Sequence, residues 1–444
     1  MSPTDVGSPD PGARIRQRFF WTWDHSMEWV LNSTGAQTYG ANNPYTRLPG
    51  TFIEDYKRLL TWCAQHHIDG VVAWGLLRDC HGGLDAARVL CEYAKEVGVR
   101  LMSGVGLNAY GGIYYEGDSP YSLIAHLERH PELYAQDAEG RPLRDLANRV
   151  HLACPSRREN QEFAADSLRW LMESIPLGGV QIEAGDTGVC QCKTCRNRRQ
   201  YPAGVFSWED MALMYPLAAE AVRSVDPDAW IACETYSHPQ PLENPDTIPT
   251  FGDGKPHWAD ACLDQFPEGV FVQWVADRFA DPRQQYAWTD AAHVDTGLRQ
   301  HVMRAHLATY WFGMRGELAL DWLADMVRSS LSSGFDCMSI FGEVSPFCVG
   351  AELNYLALEH FGSDRNPGAS VDVFLRDVAA PLLGGEAEAQ EFVGYAVAAR
   401  QAAYRAKIPG ALPRIYRHIA ALPDGPARRW VWLANHLNSL MVTM

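Results

Sequence analysis

The chain has 444 residues, with 54 Asp and Glu against 38 Lys and Arg, so its formal net charge is −16. Nucleic acids are polyanions that proteins bind through Lys and Arg, so a nucleic-acid partner is not expected. Hydrophobic residues make up 47% of the chain. This content and this length allow two or three average domains or one large barrel.

Residues 1–17 are rich in Pro, Gly, Ser and Asp, which predicts a flexible N-terminal lead-in. This segment lacks the apolar core of a signal peptide. No later run approaches the roughly 20 apolar residues that a membrane span needs. The sequence therefore predicts a cytoplasmic protein with no membrane partner.

Short apolar runs and longer segments then alternate along the chain. The runs cover residues 18–24, 70–77, 99–108, 179–186, 230–238, 270–276, 306–313 and 335–343. Segments between them, such as 51–67 and 208–225, place apolar residues at helical spacing. This alternation predicts an α/β fold, namely a (β/α)8 TIM barrel over residues 18–350. An open doubly wound sheet is the alternative, but no Gly-rich phosphate fingerprint follows the first run.

From residue 351 to residue 444 the pattern is wholly helical. We interpret this region as the last barrel helix followed by a C-terminal helical extension. The extension would either cover the barrel or form a contact in a homo-oligomer.

Acidic residues stand at the ends of several runs, where a parallel barrel places its catalytic groups. Alternation along the fourth run directs Val180 and Ile182 to the helices and Glu183 to the barrel mouth. We therefore predict that Glu183 is a general acid. Its predicted catalytic partner is Glu343 or Glu234, and Asp186 is predicted to tune Glu183 or to contact substrate.

The predicted mouth combines these acids with aromatic residues and few basic groups. Apolar sugar faces stack on aromatic rings and sugar hydroxyls donate to carboxylates, so this composition favours a carbohydrate ligand. The residues predicted to bind substrate are Asp24, Trp23, Trp74, Asn108, Tyr110, Trp274, Trp311 and His238.

Cleavage of a glycosidic bond needs one carboxylic acid to protonate the leaving oxygen and a second carboxylate to attack or to activate water. The acid-rich rim therefore predicts a glycoside hydrolase. A divalent-metal sugar isomerase or lyase is an alternative, with His25 and His238 as further ligands beside Asp24 or Glu234. A catalytically silent carbohydrate-binding barrel is the third reading.

Three cysteines, Cys190, Cys192 and Cys195, follow the fourth run with C-x-C-x2-C spacing. Cys154 precedes the helix that leads into this run, in a loop on the same face of a barrel. The four thiolates together predict a structural zinc site. Reduced thiols in a loop are the alternative reading.

The acid followed by this cysteine spacing resembles the family 42 glycoside hydrolases, the zinc-containing β-galactosidases. The resemblance rests on Glu183, on the three clustered cysteines and on Cys154, and it implies an acid/base role for Glu183 and a structural zinc. The chain departs from that family at Ile182, where the family has Asn. It also lacks the family's nucleophilic Glu in its seventh run. Galactosidase activity is therefore not carried over.

Overall fold

The computed structural model describes residues 15–23, 49–144, 151–184, 188–199, 207–235, 263–275, 298–305, 318–332, 335–341, 349–363, 370–399 and 401–442. Eight parallel strands within these ranges close into a barrel, in which each strand pairs with the next and the last pairs with the first. The strands are β1 (Gln17–Trp23), β2 (Gly70–Trp74), β3 (Arg100–Gly106), β4 (Gly179–Glu183), β5 (Trp230–Glu234), β6 (Phe271–Val275), β7 (Gln300–Ala305) and β8 (Cys337–Phe341). The predicted TIM barrel is confirmed.

Helices follow most of the strands and continue beyond the barrel. They are α1 (Pro49–Gln65), α2 (Gly83–Val97), α3 (Leu123–Arg129), α4 (Arg158–Ser174), α5 (Lys193–Arg198), α6 (Trp208–Arg223), α7 (Leu320–Ser332), α8 (Val349–Phe361), α9 (Glu386–Ala398), α10 (Ile408–Ala421) and α11 (Asp424–Val442). A helix with a π-helical turn at Leu375–Ala379 joins α8 to α9. Within the described ranges, no helix combines the length and the apolar character that crossing a membrane requires.

The seventh strand lies earlier than the sequence predicts. It is β7, Gln300–Ala305, directly before the predicted run at 306–313, which lies outside the described residues. Two of its six residues are His301 and Arg304, so its apolar character is weaker than that of the run that follows. The placement of the strand at 306–313 is therefore corrected.

Side chains alternate between the barrel interior and the helical layer, as the pleat of a strand requires. Val180, Ile182, Met338 and Ile340 pack outward in the core shared with the helices, as predicted. The interior is filled by a separate apolar cluster made of Phe19, Trp21, Val72, Trp74, Met102, Tyr115, Ala232, Phe271, Val302 and Cys337. This alternation determines which residues reach the mouth.

The start of β4 passes too close to β5 for any side chain. A Cβ added to Gly179 would overlap the backbone carbonyl of Trp230, and the backbone φ of Gly179 is +155°. We expect Gly179→Ala to lower the free energy of unfolding by about 2 kcal/mol or more, because backbone atoms cannot move aside cheaply. Urea unfolding followed by circular dichroism measures this loss.

Gly50→Ala is the matched control, because a Cβ at Gly50 in α1 meets nothing within 4 Å. Alanine is a better helix former than glycine by roughly 1 kcal/mol, so this variant should match or exceed the wild-type stability. Equal stability of the two variants would contradict the close approach of β4 to β5.

Candidate active site

Glu183 and Glu234 are neighbours at the mouth of the barrel. The last aligned pair of β4 and β5 is Ile182 with Cys233, so the two glutamates stand next in the same register on adjacent strands. Both share the face of Gln181, which points into the barrel. Paired strands lie about 4.8 Å apart, so two carboxylates project side by side into the mouth. Glu183 is 2% exposed and Glu234 is 0% exposed.

Glu234 is surrounded by hydrogen-bond donors from three other strands. Its Oε2 accepts from Nε2 of Gln181 at 3.3 Å and from Nε2 of Gln273. Nη1 of Arg304 lies 2.9 Å from the same oxygen, and the Arg304 side chain is 1% exposed. A guanidinium and two amides thus compensate the charge of a buried carboxylate.

The orientation of Gln181 is determined by two indoles. Nε1 of Trp21 and Nε1 of Trp74 both donate to Oε1 of Gln181, at 2.8 Å and 2.5 Å. Indole nitrogen is a donor only, so Oε1 must be the acceptor and the amide nitrogen must turn toward Glu234. The predicted substrate residue Trp74 therefore lies in the barrel wall beneath the mouth, where its ring covers Gly104.

Tyr215 supports the two acidic strand ends from the helical layer. It lies on α6, and its hydroxyl donates to the backbone carbonyl of Glu234. Burial raises the pKa of Tyr215 well above its usual value, and the charges of Cys233, Glu183 and Glu234 raise it further. Tyr215 is therefore a neutral donor that feels both carboxylates.

The loop after β3 forms one side of the mouth. Asn108 is 6% exposed, and within the described part of the chain its Oδ1 has no hydrogen-bond partner. Tyr110 has a backbone φ of +53°, which residues other than glycine rarely adopt and which is often found at functional sites. Its ring lies 5.6 Å from the ring of Trp74 in an edge-on arrangement. Both predicted substrate residues thus lie beside the acidic pair.

Residues that follow β2 hold this loop in place. Nη1 of Arg78 lies 2.6 Å from Oε2 of Glu116, and the Arg78 guanidinium lies over the ring of Tyr115 at 5.1 Å. The hydroxyl of Tyr114 donates to Asp79. These contacts join the β2 and β3 loops into one wall.

Trp274 does not reach the mouth. Its Nε1 donates to Nδ1 of His301 at 2.9 Å, and its ring packs 5.8 Å from the ring of Trp208 on α6. Trp274 belongs to the outer core, and its neighbour Gln273 is the residue of β6 that points inward. The predicted substrate contact of Trp274 is corrected for this reason.

The remaining predicted residues lie outside the part of the chain that the structure describes. They are Asp24, His25, Asp186, His238, Trp311 and Glu343, together with the side chain of Trp23.

Arg304 is the residue at this site that the sequence analysis missed. It has the same parity on β7 as Val302, which belongs to the interior cluster, and it lies closer to the mouth. The signal was an arginine at an inward position of a strand. Placing the strand at 306–313 removed that signal.

The four predicted metal ligands come together. One ligand atom from each of Cys154, Cys190, Cys192 and Cys195 lies within 4.8 Å of the others. Sγ of Cys154 is 3.8 Å from Sγ of Cys192 and 3.6 Å from Sγ of Cys195. Tetrahedral zinc with bonds of about 2.3 Å places its sulfurs about 3.8 Å apart, so the donor set fits a metal ion. The described residues contain no other group of three or more His, Cys, Asp or Glu with this geometry.

Polar contacts connect the cysteine cluster to α6. Ser156 Oγ lies 3.0 Å from Sγ of Cys195, and Arg198 contacts both Ser156 and the buried carboxylate of Asp210. Nη2 of Arg199 lies 2.5 Å from Oδ2 of Asp210. Asp210 lies in the first turn of α6, the helix that carries Tyr215. The cluster therefore anchors the helix that supports the acidic strand ends.

No family model matches the sequence, and no curated protein matches it. The fold is similar to three solved enzymes. A GH138 enzyme targeting pectin rhamnogalacturonan II has a TM-score of 0.56 at 8% identity, over 97% of this chain and 57% of that one. A mutant of Thermobaculum terrenum O-GlcNAc hydrolase has a TM-score of 0.54 at 10% identity, over 97% and 84%. CpGH84B has a TM-score of 0.51 at 9% identity, over 96% and 67%.

Proposed function

We propose that this protein is a glycoside hydrolase and that Glu183 is its general acid. The observation that carries the proposal is the pair of adjacent, inward carboxylates in unlike surroundings. Glu234 has a charged partner in Arg304, whereas Glu183 stands nearer the mouth beside it. Two neighbouring carboxyl groups in environments that differ in this way divide acid and base roles between them.

In this mechanism Glu183 donates its proton to the glycosidic oxygen as the bond to the anomeric carbon breaks. A second carboxylate attacks that carbon or activates water. Glu234 is our first candidate for this role, and Glu343 and Asp186 remain proposed alternatives. Asn108 and Tyr110 are proposed to bind hydroxyls and a sugar face, because an amide oxygen and an aromatic ring are available beside Glu183.

Two further observations support the proposal. The three solved enzymes with a similar fold include an O-GlcNAc hydrolase and an enzyme that targets a pectin. The cysteine cluster stiffens the same region, and we propose zinc as its ion, because four thiolates in tetrahedral spacing are typical of structural zinc. Zinc would hold the loop, and the chemistry would remain with the carboxylates.

The test is product release from a panel of oligosaccharides and aryl glycosides, with wild type and Glu183→Gln purified in parallel. We expect products from the wild type alone. Equal release from both would remove Glu183 from the reaction. Binding without release by the wild type would favour the silent carbohydrate-binding barrel, and release that a chelator abolishes in a folded protein would favour the metal-dependent isomerase or lyase.

A further inference from the structure

We infer that Arg304 is a positioning residue that controls, through Glu234, how tightly Glu183 holds its proton. The inference rests on the proposed function, in which Glu183 is the general acid. It adds a residue from the opposite side of the barrel that touches no reacting atom.

The first step is the placement of the Arg304 charge. Arg304 extends from β7 to β5 across the barrel interior, where its Nη1 lies 2.9 Å from Oε2 of Glu234. Its guanidinium also lies 5.7 Å from the ring centre of Trp21. Gln273 of β6, the strand between them, donates to the same carboxylate. The ion pair is therefore buried and held from three strands.

The second step is the position of Glu183 beside this pair. Glu183 follows Gln181 on the same face of β4, and Gln181 donates to Glu234. Charges interact more strongly in a buried site than in water, so Glu183 responds to both members of the ion pair. The negative charge of Glu234 favours a protonated Glu183, and the positive charge of Arg304 opposes that effect.

Few other charged groups face Glu183 from the described elements. Tyr215 of α6 lies behind the strand ends and is neutral. The loops after β2 and β3 contribute Tyr110, Tyr115 and the Arg78–Glu116 ion pair, which is neutral as a whole. The predicted acids Asp24, Asp186 and Glu343 lie outside the described residues. The Glu234–Arg304 pair is therefore the charged group nearest to Glu183 among the described residues.

The proposal predicts opposite effects for the two members of the pair. Arg304→Gln removes a positive charge and should move the titration midpoint of Glu183 to higher pH by about one unit. Glu234→Gln leaves Arg304 uncompensated and should move it to lower pH by a similar amount. Arg304→Lys keeps the charge and should restore the wild-type midpoint.

The midpoint is measured without substrate, by 13C NMR of protein labelled at the glutamate carboxyl carbon. The Glu183 signal is identified by its loss in Glu183→Gln. Because this titration needs no turnover, its outcome is separate from that of the product-release test of the proposed function. Once a substrate is known, the alkaline limb of the pH–rate profile should shift in the same directions.

Arg299→Gln is the matched control. Arg299 is also a buried arginine, but it precedes β7 and donates to the backbone carbonyl of Phe266 at the other end of the strand. Its removal should leave the Glu183 midpoint unchanged. Shifts in the same direction for Arg304→Gln and Glu234→Gln, or no shift in either, would overturn the inference.

A second comparison applies if Arg304→Gln does not fold. The double variant Arg304→Gln/Glu234→Gln removes both buried charges, and replacing a buried ion pair as a whole is tolerated better than removing one member. The Glu183 midpoint should lie at higher pH in the double variant than in Glu234→Gln. Equal midpoints in these two proteins would overturn the inference.

Discussion

Glu183→Gln is expected to slow the cleavage of glycosides with poor leaving groups by about 100- to 10,000-fold, because proton transfer from a positioned acid contributes on this scale. The amide has nearly the shape of the carboxyl group, so the barrel should keep its thermal unfolding midpoint. Aryl glycosides with acidic phenol leaving groups need little protonation. Their kcat/KM should therefore fall much less in the same variant.

The measurement compares kcat/KM for the two substrate classes in wild type, Glu183→Gln and Glu173→Gln. Glu173 is an exposed glutamate of α4, and the same change there should leave both rates unaltered. An equal loss for both substrate classes in Glu183→Gln would contradict the role of general acid, since it would show no dependence on the leaving group.

Cys154→Ser is expected to abolish stable metal binding and its effect on stability. If zinc binds only the native state and free zinc is about 1,000 times its dissociation constant, binding stabilises that state by about 4 kcal/mol. The wild-type unfolding midpoint should therefore rise with zinc and fall with a chelator. Cys154→Ser should respond to neither, because three thiolates form an incomplete structural site.

Cys80→Ser provides the matched control, since Cys80 is a partly buried cysteine that is not part of the cluster. It should bind one metal ion per chain, as the wild type does, measured by metal analysis after gel filtration. Cobalt substitution gives a second readout, because tetrahedral thiolate coordination produces intense visible absorption. Equal metal content in Cys154→Ser and wild type would contradict the four-cysteine site.

The barrel was predictable because its signal is local. Apolar runs alternate with amphipathic helices, and the alternation along β4 directs Gln181 and Glu183 inward whatever the rest of the chain does. The cysteine cluster was predictable for a similar reason. The C-x-C-x2-C spacing limits where three sulfurs can lie, and the barrel topology brings Cys154 to the same face.

The polar network in the barrel was not predictable, because it depends on long-range contacts. Trp21, Trp74 and Gln181 lie on three strands far apart in sequence and meet only in the closed barrel. Arg304 was missed because β7 carries polar residues, and its strand signal was weaker than that of the apolar run after it. A partner for Glu234 becomes visible only when the strand is placed correctly.

Trp274 shows a different reason for failure. Its position at a strand end predicted a place in the mouth, but parity directs the adjacent Gln273 inward and Trp274 outward. Strict alternation within β6 would have excluded it. The position of a residue along a strand is therefore a weaker guide than its parity.

The central claim is that the barrel mouth hydrolyses a glycosidic bond through Glu183. Mass spectrometry of the complete product mixture from the first substrate found in the panel tests it most directly. The account predicts products whose masses sum to the substrate plus one water, formed by wild type and not by Glu183→Gln at the same protein concentration. Products that conserve the substrate mass, as a lyase or an isomerase forms, would contradict it.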